Sequence, residues 1–220
     1  MNANLNTYVP VAGNDVVVVV GTQNNDVLYG SLGRTVIYGN GGNDTIYGLS
    51  GLDAMYGGEG NDTFHIKGSG DTVTEEAGEG TDTIYSSVSY TASRNVENLV
   101  LTGDARINGT DNNSDNTITG NDNYNRLNGG RGNDTIYGNG GEDTIDGGEG
   151  DDKLYGGADR DHIFGGTGND LLRGQAGNDT YYFAQGYGHD VVRDTEGSNI
   201  VRFGSGITVD DITVREEGAN

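Results

Sequence analysis

From Gly129 the chain repeats itself every nine residues, reading GGRGNDTIY, GNGGEDTID, GGEGDDKLY, GGADRDHIF, GGTGNDLLR and GQAGNDTYY. Position 6 is always aspartate: Asp134, Asp143, Asp152, Asp161, Asp170 and Asp179. Position 8 is always apolar or aromatic: Ile136, Ile145, Leu154, Ile163, Leu172 and Tyr181. A unit this short cannot bury a hydrophobic face alone, so it must stack on its neighbours. It is also too short for a crossover helix, and helical periodicity is absent. Two degenerate copies precede the array, DNNSDNTIT from Asp111 and GNDNYNRLN from Gly120. They keep Ile118 and Leu127 at position 8 but carry Asn116 and Asn125 at position 6. An earlier block holds the same period from Gly21: GTQNNDVLY, GSLGRTVIY, GNGGNDTIY, GLSGLDAMY, GGEGNDTFH and the weak copy IKGSGDTVT. Its position-6 residues are Asp26, Thr35, Asp44, Asp53, Asp62 and Asp71.

The period predicts an all-β fold, a right-handed parallel β-roll with two nonapeptides per coil. Positions 7 to 9 are read as a short strand, whose alternation turns position 8 inward and positions 7 and 9 outward. Positions 1 to 6 form the turn, where glycine permits positive φ. An 18-residue coil advances by ~4.8 Å, the usual strand spacing. Asp134 then stacks on Asp152, and Asp143 on Asp161. A column of carboxylates about 5 Å apart is strongly repulsive without a counterion. Calcium suits such a column, because it takes 6–8 oxygen ligands drawn from carboxylates and backbone carbonyls. Pairs 18 residues apart predict sites at Asp134/Asp152, Asp143/Asp161, Asp152/Asp170, Asp161/Asp179, Asp26/Asp44, Asp44/Asp62 and, more weakly, Asp53/Asp71. Thr35 breaks the site it would share with Asp53. About seven divalent ions would reduce the formal charge of −22 to about −8, a value tolerable for a soluble domain.

Composition agrees with a fold that needs help. Only 32% of residues are hydrophobic, against 34 Asp plus Glu and 12 Lys plus Arg, a balance usually seen in disordered chains. The acidic surface disfavours nucleic acid and anionic lipid and attracts cations. With no cysteine, disulfides and thiolate metal sites are excluded. The longest apolar run, Val16–Val20, is far too short to span a membrane. Met1 to Pro10 does not look like a secretory signal peptide. The expected organisation is an N-terminal cap over 1–20, a first repeat block over 21–74 and irregular β coils over 75–110. The second block follows over 111–182 and a C-terminal cap over 183–220, with apolar clusters at Val191–Val192, Ile200–Phe203 and Ile207–Val214. The chain is expected to be monomeric.

The pattern resembles the RTX (repeats-in-toxin) family of calcium-binding nonapeptides, most closely over 21–74 and 111–182. The resemblance implies ligands from the position-6 aspartates and from backbone carbonyls at positions 1, 2 and 4. Among these are Gly42, Gly58, Gly60, Gly130, Gly132, Gly141, Gly148, Gly150, Gly157, Gly166 and Gly168. It also implies one-step (type I) export from a bacterium by dedicated secretion machinery, with an uncleaved C-terminal signal and an extracellular destination. Thr35, Asn116, Asn125, Leu49 and Asp159 depart from the pattern.

Tyr29, Tyr38, Tyr47, Tyr56, Tyr137 and Tyr155 recur at position 9, with Phe164, and should form ladders on the outer walls. They could stack on a polysaccharide, as in an adhesin or a module of a polysaccharide-modifying enzyme. Cross-strand packing is the favoured reading, because β-propensity alone explains tyrosine there. His65, His162 and His189 occupy unrelated repeat positions, and no nucleophile elbow, P-loop or HExxH motif is present. The expected function is a non-catalytic module that folds when calcium binds.

Overall fold

In the computed structural model, residues 9–10 and 16–212 are described. They form a β-solenoid of about ten turns. One wall is an unbroken ten-stranded parallel sheet running from Val27–Tyr29 to Val191–Val192. The facing wall is divided into five strands ending at Thr72–Thr74 and seven beginning at Tyr90–Thr91. From Val17–Val20 onward, successive strands alternate between the walls, so each pairs with the strand one coil away. Thr135, Ile136 and Tyr137 lie beside Lys153, Leu154 and Tyr155, the expected shift of 18 residues.

Position 8 builds the core. Leu28, Ile37, Ile46, Met55, Phe64, Ile118, Leu127, Ile136, Ile145, Leu154, Ile163, Leu172 and Tyr181 are essentially inaccessible to solvent. The strands are longer than the sequence suggested. Thr144–Glu149, for example, runs from position 7 through position 3 of the next nonapeptide. The inward alternation continues through it, burying Ile145 and then Gly147, because a position-1 glycine fits inside the wall where a side chain would not.

Residues 75–110 stay in the stack. Thr83–Ser86 pairs with Thr63–Ile66 on one side and Asn98–Leu101 on the other. The coil shifts there are irregular: Thr63 lies beside Thr83, and Asn98 beside both Thr83 and Thr117. Extra or missing residues are absorbed in the turns, which keeps the strands in line. At the N-terminal end Val17–Val20 lies parallel to Thr35–Gly41 and antiparallel to Val9–Pro10, which covers its open edge. At the other end Val191–Val192 and Ile200–Phe203 each add one strand to a wall. The last residues of the third apolar cluster, 213 and 214, lie outside the described residues, as do most of 1–15.

Candidate metal centre

The turns are held together by their aspartates. Each position-6 carboxylate reaches back one coil, and its Oδ1 accepts the backbone N–H of the preceding position 6. The N–H of Asp134, Asp143, Asp152 and Asp161 donates to Oδ1 of Asp152, Asp161, Asp170 and Asp179, each at 2.8 Å. In the first block the same bond joins Asp26 to Asp44 (2.8 Å), Asp44 to Asp62 (2.6 Å) and Asp53 to Asp71 (3.1 Å). All the pairs expected from spacing are therefore adjacent. Thr35 donates to Asp53, Asn116 to Asp134 and Asn125 to Asp143 in the same way, so the backbone ladder passes through the departures.

The second carboxylate oxygen is different. Oδ2 of Asp44, Asp53, Asp62, Asp134, Asp143, Asp152, Asp161, Asp170 and Asp179 is buried without a hydrogen-bond partner. A buried charged oxygen left in this state costs several kcal/mol unless something pairs with it. Removal from water accordingly raises these carboxyls: Asp134 and Asp170 to about 6, Asp152 and Asp161 to about 7, and Asp143 to about 8. The ends of the first block behave otherwise. Asp26 Oδ2 accepts from the Thr22 amide and hydroxyl, and Asp71 Oδ2 accepts from the Gly68 amide.

Glycine lines the space beside Oδ2 for two separate reasons. At position 1, a Cβ on Gly147 would collide with both Asp152 Oδ2 and the Gly165 carbonyl oxygen. The lack of a side chain leaves a cradle bounded by a carboxylate and by the next coil's carbonyl. At positions 2 and 4 the requirement is conformational, as Gly148 (φ 111°) and Gly150 (φ 134°) show. Leu49 (φ 72°) and Asp159 (φ 75°) adopt the same left-handed backbone, so these departures preserve the turn. The donors are oxygen throughout, which matches a hard cation such as calcium and not a soft metal.

Several features escaped the sequence reading. Asp62 N–H donates to Asp82 Oδ1 at 2.7 Å and Asp170 N–H to Asp190 Oδ1 at 3.0 Å, across coils of 20 residues. Counting by 18 misses both, although Asp82 heads the tetrapeptide DTIY that also begins at Asp44 and Asp134. Asp111 sits at position 1 of the nonapeptide whose position 6 is Asn116; Asp111 Oδ2 and Asn116 Oδ1 are both buried without a partner. A carboxylate lost from one turn position is thus present at another. A second ladder runs at position 5, where Asn25 Oδ1 accepts from Asn43 N–H, Asn43 from Asn61, and Asn133 from Asp151, at 2.8–2.9 Å.

Beyond its geometry, the repeat is recognised directly. A family model described as the RTX calcium-binding nonapeptide repeat (4 copies) matches residues 20–53, 29–64, 110–145, 119–154 and 155–187, more than half of the chain. The chain belongs to the RTX calcium-binding nonapeptide repeat family. RTX nonapeptides bind calcium in general, and the matched segments contain the turns just described. The stretch between 64 and 110 that the RTX matches leave out contains coils of irregular length, as does the end of the last match, where Leu171 pairs with Val191. No curated protein matches the chain. Among the described residues no helix is long and apolar enough to cross a membrane.

Proposed function

We propose that this RTX roll is the calcium-triggered folding module of an exported bacterial protein, carrying no catalytic site itself. The observation that supports it most is the file of buried Oδ2 atoms without partners, of which those of Asp44, Asp134, Asp143, Asp152 and Asp161 stand beside a glycine carbonyl from the next coil. Asp134, Asp143, Asp152, Asp161, Asp170 and Asp179 would hold the ions in the second block, with Asp44, Asp53 and Asp62 in the first. Carbonyls of the turn glycines, Gly130, Gly132, Gly148, Gly150, Gly166 and Gly168 among them, would complete the shells. Bound calcium supplies positive charge between stacked carboxylates. The chain's own part is to present those oxygens from rigid turns that share one strand ladder.

Metal affinity for the native state alone is folding free energy. A calcium-poor cytosol would keep this acidic chain unfolded and fit for passage through a type I exporter. Extracellular calcium would then close the roll, since extracellular calcium modules typically bind at about 10⁻⁴–10⁻³ M. Far-UV circular dichroism of the purified chain tests this reading. A disordered spectrum in chelator should become a β spectrum at millimolar calcium; a β spectrum indifferent to chelator would rule the switch out.

The position-9 aromatics favour packing over sugar binding. Tyr29 stacks on Tyr47 with centroids 4.9 Å apart and planes within 8°, and Tyr137 on Tyr155 at 4.9 Å and 12°. Tyr38 stacks on Tyr56 on the other wall, also at 4.9 Å. The ring faces a sugar would use are turned toward neighbouring rings. His65 continues the first ladder between Tyr47 (4.2 Å) and Tyr85 (5.3 Å), which gives that histidine a packing role.

A further inference from the structure

Where the first block meets the irregular coils, one turn carries a carboxylate in place of a backbone carbonyl. In the regular turns, a position-1 glycine faces its own aspartate and the next coil's glycine carbonyl; Gly39 faces Asp44 Oδ2 and the Gly57 carbonyl oxygen. One coil later, the position equivalent to Gly57 is occupied by Glu75. A Cβ on Gly57 would collide with Asp62 Oδ2 and with Glu75 Oε1, so a carboxylate replaces the usual carbonyl. Glu75 is 4% exposed and fixed by the Gly57 and Gly58 amides, which donate to Oε1 (2.8 Å) and Oε2 (3.4 Å). Two residues inserted after Glu75 lengthen the coil, and Asp82 returns under Asp62 to accept its N–H.

Asp62, Glu75 and Asp82 each bring an oxygen within 4.8 Å of the other two. Asp62 and Asp82 are each 1% exposed, and the Oδ2 of both is buried without a partner. The neighbouring charges that bear on the three are Asp44, Glu79 and Glu97, all acidic. Three buried carboxylates in acidic surroundings demand a cation. Three carboxylate oxygens drawn this close fit calcium, a hard cation that takes 6–8 oxygen ligands, carboxylates among them, in a flexible shell.

We propose that Asp62, Glu75 and Asp82 form a calcium site separate in kind from the repeat sites, the tightest in the chain, which fastens the irregular coils to the first block. The proposal rests on the calcium reading above and adds a site that the nonapeptide pattern does not contain, since its third carboxylate stands where the pattern has glycine. The extra charge makes it the first site to fill, because ligand charge count tunes calcium affinity. Its occupation draws the 75–82 turn onto the preceding coil, and the Asn95 side chain, bonded to the Glu75 carbonyl at 2.9 Å, carries the link onward.

Calorimetric titration of the full chain with calcium alone, with bound ions counted by equilibrium dialysis, tests it. Glu75→Gln keeps the shape and the amide acceptor, and should weaken the tightest binding step by at least about tenfold, whereas Asp152→Asn should leave that step in place. If Glu75→Gln does not fold at saturating calcium, Glu75→Gly, which restores the residue of the regular turns, replaces it with the same expectation. Wild-type and Glu75 variants that titrate alike, while the chain still folds with calcium, overturn this site and leave the module's function standing. A wild-type chain that binds no calcium overturns both.

Discussion

At the scale of single residues, the turn works by exclusion as much as by donation. Gly147 has no unusual φ, yet its missing Cβ leaves the space between Asp152 Oδ2 and the Gly165 carbonyl. Gly147→Ala would force a methyl group into that space, where overpacking costs roughly 1–3 kcal/mol. The expected result is the loss of one bound ion and a lower melting temperature in calcium; an alanine variant with unchanged ion count would show the cradle to be incidental. Thr35 allows the opposite experiment. Its N–H already donates to Asp53 Oδ1 at 2.7 Å, and its hydroxyl accepts from the Ser31 amide at 3.0 Å, where Asp26 Oδ2 accepts from Thr22. The backbone of a site is in place and only the carboxylate is lacking. Thr35→Asp should therefore raise the calcium bound at saturation by one ion, as counted by equilibrium dialysis. An unchanged count would mean that a stacked aspartate pair is not enough to make a site.

At the scale of the strand, the apolar contribution in the repeat blocks comes chiefly from the inward position 8. Ile145 touches no water, so Ile145→Ala should cost about 2–5 kcal/mol and lower the calcium-loaded melting temperature sharply. Tyr137→Ala removes one half-exposed rung of an aromatic ladder and should cost only ~0.2–1 kcal/mol by the same melt. Equal losses at the two positions would mean that the outer ladders, and not the core file, hold the walls together. These strands are also where the sequence was most readable. A nine-residue phase with an invariant apolar position leaves one way to stack, and the pairing of Ile136 with Leu154 follows from counting. Counting fails wherever a turn changes length. Thr63 pairs with Thr83 and Leu171 with Val191, so Asp82 and Asp190 fall outside an 18-residue ruler while their strands stay in line. Glu75 was illegible for another reason: its role depends on occupying a glycine's place in the turn, which only the three-dimensional stack reveals. The position-5 asparagines were visible as the recurring GND but carried no signal of which way their side chains bond.

For the molecule as a whole, the aspartate files make folding answer to two cations, calcium and the proton. Burial raises Asp143 to about 8, Asp152 and Asp161 to about 7, and Asp134 and Asp170 to about 6 in the metal-free roll, against roughly 3.9 in an unfolded chain. Groups raised on folding hold more protons in the folded state. Their stabilising contribution is therefore complete below the unfolded value, near pH 4, and is lost as pH rises through 6 to 8. The metal-free roll should be weakest above pH 8, where every stacked carboxylate is charged, and should gain β structure in chelator as the pH falls toward 5. Calcium has the opposite preference, because it binds the ionised carboxylates that protonation removes. Calcium added to the roll that protons have closed at pH 5.5 should consequently displace those protons, a release that calorimetry in buffers of different ionisation enthalpy would register and that should fade toward pH 8. Side chains that stayed ionised and solvated would release no protons to calcium in this range. That outcome would separate surface carboxylates, which only attract calcium, from a buried file that needs a cation in order to close.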